Sequence, residues 1–180
     1  ELVGSGISYC AVCDGAFFKN QTVAVLGGGN SALQEAVLLS EGCSKVYVIQ
    51  NLDYFTGEAR LVEKLKSKDN VELITGTVIS AIHGDTELES LTLKKEADGI
   101  ESELKVNGLF VAIGLIPNSG AFADIAGLDE WGYIDSDESC ITKTAGVFVA
   151  GDCRKKQIRQ ITTATADGSV AALAACRYID

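Results

Sequence analysis

One short loop constrains this chain more than any other feature: Gly27-Gly-Gly29-Asn-Ser-Ala32, a G-x-G-x-x-A pattern. It follows a β-branched apolar run, residues 22–27, that reads as a buried strand. It opens a stretch with helical spacing from Ser31 to Ser40, in which Leu33, Ala36, Val37 and Leu38 share an inner face. Gly42 ends that helix, and Lys45 to Gln50 reads as a second strand. Strand, helix and strand in this order make a βαβ unit and so an α/β fold. In that setting each small residue has a task. Gly27 makes the tight turn, Gly29 lets a pyrophosphate approach the backbone, and Ala32 keeps helix and strand close. Asn30 and Ser31 complete the loop at the helix N-terminus, where unpaired N–H groups face an anion. The loop predicts a dinucleotide site; its bland alternative is a plain βα turn.

The specificity position does not say which dinucleotide. About twenty residues on, an acid would read the ribose of NAD, or arginines the 2′-phosphate of NADP. Gln50, Asn51 and Leu52 stand there, Asp53 comes slightly late, and Arg60 falls in the next helix.

Composition removes several classes. The 180 residues carry 15 Lys and Arg against 25 Asp and Glu, a net charge of −10, which disfavours a nucleic-acid partner. An apolar fraction of 47% suits a globular chain. No apolar run approaches the roughly 18 residues of a membrane span, and the opening Glu1-Leu2-Val3-Gly4 does not read as the basic n-region of a signal peptide. A single histidine, His83 in an Ile-His-Gly turn, argues against a His-based triad or a multi-His metal site and reads as a surface residue. Trp131 and the acidic run Asp135 to Glu138 read as surface and turn features. Residues 1–9 read as an internal loop, as if the chain began in the middle of a longer one.

The remaining elements follow from periodicity. Glu58 to Lys68 is a charged amphipathic helix with Leu61, Val62 and Leu65 inward, and Val71 to Ile74 is a third strand. From Thr77 to Val106 the period becomes two, broken by Gly84-Asp85 and Asp98-Gly99, which reads as an inserted β-meander. Leu109 to Ile113 is a further apolar strand. The only proline, Pro117, marks a turn and a domain boundary, giving domains over 1–117 and 118–180. Beyond it lie a turn-rich stretch from Gly127 to Asp137, a strand Gly146 to Ala150, and an Ala-rich helix from Thr162 to Tyr178.

Of six cysteines, only Cys10 and Cys13 form a tight pair, Cys10-Ala-Val-Cys13-Asp14. Two cysteines at this spacing can close and reopen a small disulfide ring, one thiolate attacking while the other resolves. Asp14 can relay the proton that exchange must move. A metal site would need a second Cys or His pair at ligand spacing, and the sequence has none. Redox exchange, a metal and no role at all stay open on spacing alone. Single cysteines such as Cys43 and Cys176 read as small buried residues, Cys153 as a packing residue, and the overall usage as that of the reducing cytoplasm.

Taken together, the blocks Gly6 to Gly15, Gly27 to Ala32, Phe110 to Asn118, Gly146 to Asp152 and Arg159 to Ala164 closely resemble the low-molecular-weight thioredoxin reductases, in that family's order along nearly the whole chain. The resemblance implies a Rossmann-like three-layer (β/β/α) FAD/NAD(P)-binding fold carrying the meander. It makes Cys10 and Cys13 the redox-active disulfide, with Cys13 nearer the flavin, and Asp14 the acid/base. Gly27, Gly29, Asn30, Ser31 and Ala32 would hold the pyrophosphate of NAD(P)H. Ile113, Gly114, Gly151 and Cys153 would belong to the cofactor-binding set, with Asp152 on the FAD ribityl–phosphate region and Arg159, Gln160 and Ile161 along the flavin. Electrons would pass from NADPH through FAD and the disulfide to a thioredoxin-like protein, in a homodimer whose nucleotide domain rotates against its FAD domain.

Two departures modify this expectation. The family carries an FAD half with its own Gly-rich fingerprint before the Cys pair; this chain has one fingerprint. It is therefore expected to hold the nucleotide domain (1–117) and only the C-terminal part of the FAD domain (118–180), with weak or no FAD affinity and no activity alone. Second, the family's His-Arg-Arg stretch and following Arg map onto Gln50, Asn51, Leu52 and Thr56, none of them positive. Each lost charge-assisted bond to a phosphate costs about 1.5–3 kcal/mol. NADH or a ferredoxin is then the expected donor in place of NADPH. The flavoprotein partner of a peroxidase system shares these motifs, and a nucleotide-binding module without turnover is the reading from another class.

Overall fold

The computed structural model describes residues 2–180. They form two compact units divided after Ile113.

The first unit is built on a five-stranded parallel sheet. Its strands are β1 (Ile7–Ser8), β2 (Thr22–Leu26), β3 (Lys45–Ile49), β4 (Val71–Ile74) and β8 (Gly108–Val111), in the order β1-β8-β2-β3-β4. Alternation in the strands divides the core. Val23, Val25, Val46, Val48 and Phe110 point to a helical layer, where they meet Ala32, Leu33, Ala36 and Leu39 of α2 (Asn30–Leu39), Leu65 of α3 (Ala59–Lys66) and Ala11 of α1 (Ala11–Asp14). Ala24, Ile49 and Leu109 point the other way, against Leu88, Leu91, Leu93 and Val106. These last belong to or flank the antiparallel meander β5 (Thr77–His83), β6 (Ser90–Lys95) and β7 (Glu101–Lys105). The result is the expected β/β/α layering with the meander as the outer sheet.

Three expectations for this unit need correction. The segment before Cys10 is not all loop: Ile7–Ser8 is an edge strand in register with Leu109 and Phe110 of β8. A two-residue strand has too little pattern to show in sequence. On α2 the buried residue near the C-terminal end is Leu39, while Leu38 is exposed, because Ala32, Leu33, Ala36 and Leu39 keep the helical period. His83 closes β5 rather than lying in the turn; its ring is exposed, with Nε2 2.6 Å from Thr92 Oγ1.

The second unit contains a one-turn helix, α4 (Ala123–Ala126), and a long helix, α5 (Ile161–Ile179). The strand expected over Gly146 to Ala150 does not form. Among the described residues that run makes one isolated bridge, Phe148 with Ile141. Apolar β-branched residues make a strand only when a partner ladder is present, and none is formed here. The buried apolar residues of this cluster are three, Ala126, Ile134 and Val149, with Leu128 against them. Among the described residues no helix is long and apolar enough to cross a membrane.

Candidate functional site

The cysteine pair sits where β1 leaves the sheet. Cys10 caps α1 in an extended conformation, and the helix that follows is Ala11–Asp14. Cys10 and Cys13 are joined by a disulfide, with their Cα atoms 5.3 Å apart. The N–H of Cys13 donates to Cys10 Sγ at 3.1 Å. Ser8 organises the acid next to the pair, a role that sequence reading missed. Its hydroxyl donates to Asp14 Oδ2 at 2.7 Å and accepts the N–H of Cys10 at 3.1 Å. A serine two residues before a cysteine carries no signal of its own; its place at the end of an edge strand gives it this role. Tyr9, Val12 and Phe17 leave apolar side chains exposed around the pair.

The Gly-rich loop lies on the same sheet, at the end of β2. Gly27 has φ 135°, and a Cβ there would stand 2.4 Å from the carbonyl oxygen of Ala112 and 3.1 Å from Cβ of Ala32. No residue other than glycine fits this turn, and a side chain larger than alanine at position 32 would close it. Gly29 is different. It caps α2, and the nearest atom to a Cβ built on it is Thr56 Oγ1 at 3.8 Å. Open space in front of the first turn of a ten-residue helix is what a pyrophosphate requires. Ser31 is exposed there. Asn30 is engaged elsewhere: its Oδ1 accepts the N–H of Glu58 at 2.7 Å and its Nδ2 donates to Glu58 Oε1 at 3.3 Å. Gly57 N–H donates to the Gly28 carbonyl at 2.9 Å. The 51–58 segment is thereby strapped to the loop.

At the specificity position, Gln50 is buried, and its Nε2 donates to the carbonyl of Tyr54 at 3.3 Å. Its side chain occupies the space that a Cβ on Gly28 would need, 2.4 Å away. Asn51, Leu52 and Thr56 are exposed. The next cation along the chain, Arg60, is paired with the Glu58 carboxylate.

In the second unit Gly151 has φ 82° and turns the chain into Asp152 and Cys153, both exposed. Asp152 is held through its backbone: its carbonyl accepts Nε of Arg159 at 3.2 Å, while the Arg159 guanidinium lies 3.8 Å over the Tyr133 ring. Gln160 caps α5 in a capping box with Thr163, and Ile161 is exposed. Ile113 and Gly114 are exposed, the glycine at φ 99°. The expected packing of Cys153 and Cys176 is not found: both are exposed free thiols, while Cys43 and Cys140 are buried. Cys153 turns outward because the Gly151 turn faces solvent, its Sγ near the Ala150 carbonyl at 3.4 Å.

The loop around Asp152 rests on a buried ion network that sequence reading did not find. Arg154 is 2% exposed and holds the Asp167 carboxylate with two bonds, Nε to Oδ2 at 3.2 Å and Nη2 to Oδ1 at 3.0 Å. Lys156 Nζ reaches Asp167 Oδ2 at 2.7 Å, and Gly151 N–H donates to the same oxygen at 3.0 Å. The Arg154 hydrogen bonds, outweighing desolvation, hold the Asp167 carboxyl well below the usual carboxylate range, and Asp167 in turn raises Arg154. The signal available in sequence was one acid inside an otherwise small and apolar helix. Glu138 Oε1 also meets Arg154 Nη2, at 3.2 Å, so part of the acidic run is a structural partner rather than plain surface.

A sheet with a phosphate-type loop at one strand end and a disulfide at another defines a class of protein, and comparison with known proteins agrees. Residues 1–168 match the family model described as pyridine nucleotide-disulphide oxidoreductase, and the chain belongs to that family. It is 40% identical over 181 aligned residues to a thioredoxin reductase of Bacillus subtilis, covering 100% of this chain and 57% of the relative. The structure of thioredoxin reductase from Streptococcus pyogenes superposes with a TM-score of 0.90 at 35% identity, over 97% of this chain and 57% of that one. A ferredoxin-flavin thioredoxin reductase from Clostridium acetobutylicum aligns at a TM-score of 0.52 and 30% identity, over 99% of this chain and 56% of that one. The chain thus spans a little over half the length of these relatives.

Proposed function

We propose that the protein carrying this chain is a flavin-dependent disulfide reductase that passes electrons through Cys10 and Cys13 to a thioredoxin-like protein. The observation that carries this is the Cys10–Cys13 disulfide at the head of α1, with Asp14 held beside it by Ser8. On this reading residues 1–117 act as the nucleotide-type domain bearing the redox pair, and 118–180 as part of the FAD domain. FAD, when bound, supplies two electrons to the disulfide. The S–S bond opens to two sulfurs, and one thiolate attacks the disulfide of the partner while the other resolves the mixed disulfide. Asp14 holds the exchanging proton at its carboxyl, and the Ser8 hydroxyl on Oδ2 fixes the orientation from which that proton is given. The residues assigned to FAD fit a chain of hydroxyls leading to a phosphate: Asp152 presents an exposed carboxylate that can accept from hydroxyls, and Arg159, Gln160 and Ile161 follow at the start of α5.

For the electron donor we read the Gly-rich loop as a pyrophosphate site without a 2′-phosphate grip. Gly29 is open, yet Gln50 is buried and committed to Tyr54, and Arg60 is committed to Glu58. NADH or a reduced ferredoxin-type protein fits this arrangement better than NADPH, and a ferredoxin-linked reductase stands among the structural relatives. Four free thiols beside one disulfide suit a reducing cytoplasm. Homodimer formation follows from the family resemblance.

The test is Cys13→Ser in the full-length protein. Loss of disulfide reduction with the fold retained supports the reading; unchanged activity favours a nucleotide-binding module. Rates with NADPH, NADH and reduced ferredoxin decide the donor, and a strong NADPH preference would overturn the reading of Gln50 to Leu52.

A further inference from the structure

Glu35 has no part in the proposed chemistry, yet it is placed against it. It lies on α2, whose N-terminus carries the Gly-rich loop. Its Oε2 is buried and, among the described residues, is the one buried side-chain oxygen or nitrogen without a hydrogen-bond partner. The polar group that acts on its carboxyl is the backbone N–H of Ala11, the residue bonded directly to Cys10. Ala11 is itself 2% exposed and packs in one cluster with Ala32, Leu33, Ala36 and Leu39, so the cysteine helix is seated on α2 at this point.

Among the described residues no cation forms an ion pair with this carboxyl. The elements packed against α2 are α1, β2, β3 and α3. Their titratable groups are Asp14 on α1, Lys45 and Tyr47 on β3, and Arg60, Glu63, Lys64 and Lys66 on α3, with none on β2. None of them acts on Glu35. Burial pushes its carboxyl up, and only the Ala11 amide opposes this. A carboxyl oxygen buried without a hydrogen-bond partner costs stability, and an apolar side chain would fill the same space without that cost. A benefit appears when the disulfide opens. A thiolate formed at Cys10, the residue bonded to Ala11, adds a second negative charge on the side of α1 that Glu35 faces, and like-charge repulsion then favours a proton on one of the two groups.

We propose that Glu35 is a positioning residue for the Cys10–Cys13 pair, seating the Ala11 end of α1 and taking up a proton when the pair is reduced to a thiolate. With dithiothreitol as reductant the step balances. The protein S–S bond breaks as the two reductant sulfurs close a ring disulfide. Of the two protons released by the reductant, one stays on a cysteine thiol and the other goes to Glu35, leaving the second cysteine as thiolate. The inference rests on the redox role of the pair, but its test needs neither flavin nor a protein partner.

The chain is equilibrated with reduced and oxidised dithiothreitol between pH 5 and 8, and opened pairs are counted by mass as two further alkylated thiols. Glu35→Gln keeps an oxygen toward the Ala11 amide and removes the charge. It is expected to shift the equilibrium toward the dithiol by about threefold or more at pH 7–8, with no difference at pH 5. It should also lower the pH midpoint of iodoacetamide alkylation of the reduced pair. A variant identical to the parent at pH 7–8 overturns the proposal. Coupling is reciprocal, so the unaltered chain gives a second test. Carbon-13 resonances of the Glu35 carboxyl should titrate at higher pH in the reduced chain than in the oxidised one, and equal values overturn the proposal even if the variant fails to fold. Should both tests succeed while the full-length protein reduces no disulfide partner, the proposed function falls and this coupling stands.

Discussion

The two units of this chain are held together by different physics. The first has apolar residues on both faces of a parallel sheet, sealed by helices on one side and a meander on the other. The second has three buried apolar residues in its cluster and, in addition, a buried arginine gripping a carboxylate on α5. Burial of apolar area is indifferent to pH and tolerant of direction. A buried ion network is neither: it fixes specific atoms and fails when one partner is lost. The residues assigned to the pyrophosphate loop therefore rest on packing, and those around Asp152 rest on charge.

The sharpest way to break this contrast is one deletion in each unit. Phe110→Ala should cost about 3–5 kcal/mol, with hydrogen-exchange protection falling in β2, β3 and β8 while α5 amides are unaffected. Asp167→Asn should cost about 3 kcal/mol by stranding Arg154 in a buried site, with the loss confined to residues 134–167. Loss of protection in the first unit for the second variant would show that the contrast is wrong.

Acid should separate the units by sign. Asp167 has its carboxyl pKa depressed, so its contribution is present above the unfolded value of 3.8 and is lost as pH falls below it. Glu35 has its carboxyl pKa raised, so the first unit is favoured at low pH and loses that gain as pH rises from 4.5. Exchange measured between pH 3 and 7 should show opposite slopes in the two units. The smallest effect expected is at the surface. Lys66→Ala, which removes an exposed pair with Glu63, should change stability by less than about 0.5 kcal/mol in a denaturant titration.

What could be read from sequence follows the same division. Strands β2, β3 and β4, helix α2 and the meander declare themselves because their periods of two and 3.6 are driven by local burial. The cysteine pair and the Gly-rich loop declare themselves because their chemistry fixes their spacing. What was hidden depends on distant partners. β1 takes its place in the sheet through Leu109 and Phe110, and Gly146 to Ala150 has strand composition without a ladder to join. Arg154 and Asp167 look like ordinary charges until α5 brings them together. Ser8, Gln50 and Glu35 belong to the same category: their identity says little, and the element that carries each one says where it acts.

The pairing of β1 with β8 carries a consequence for the order of folding. Cys10 and Cys13 are three residues apart, and their bond can close in a short nascent segment. Their seat cannot form so early. Ile7 pairs with Leu109 and Ser8 with Phe110, so the edge strand that aims the pair waits for residues a hundred positions later. Contacts of such sequence separation form late, after the loop-closure cost has been met. The cysteine bond is thus among the earliest events available to this chain, and its docking among the last.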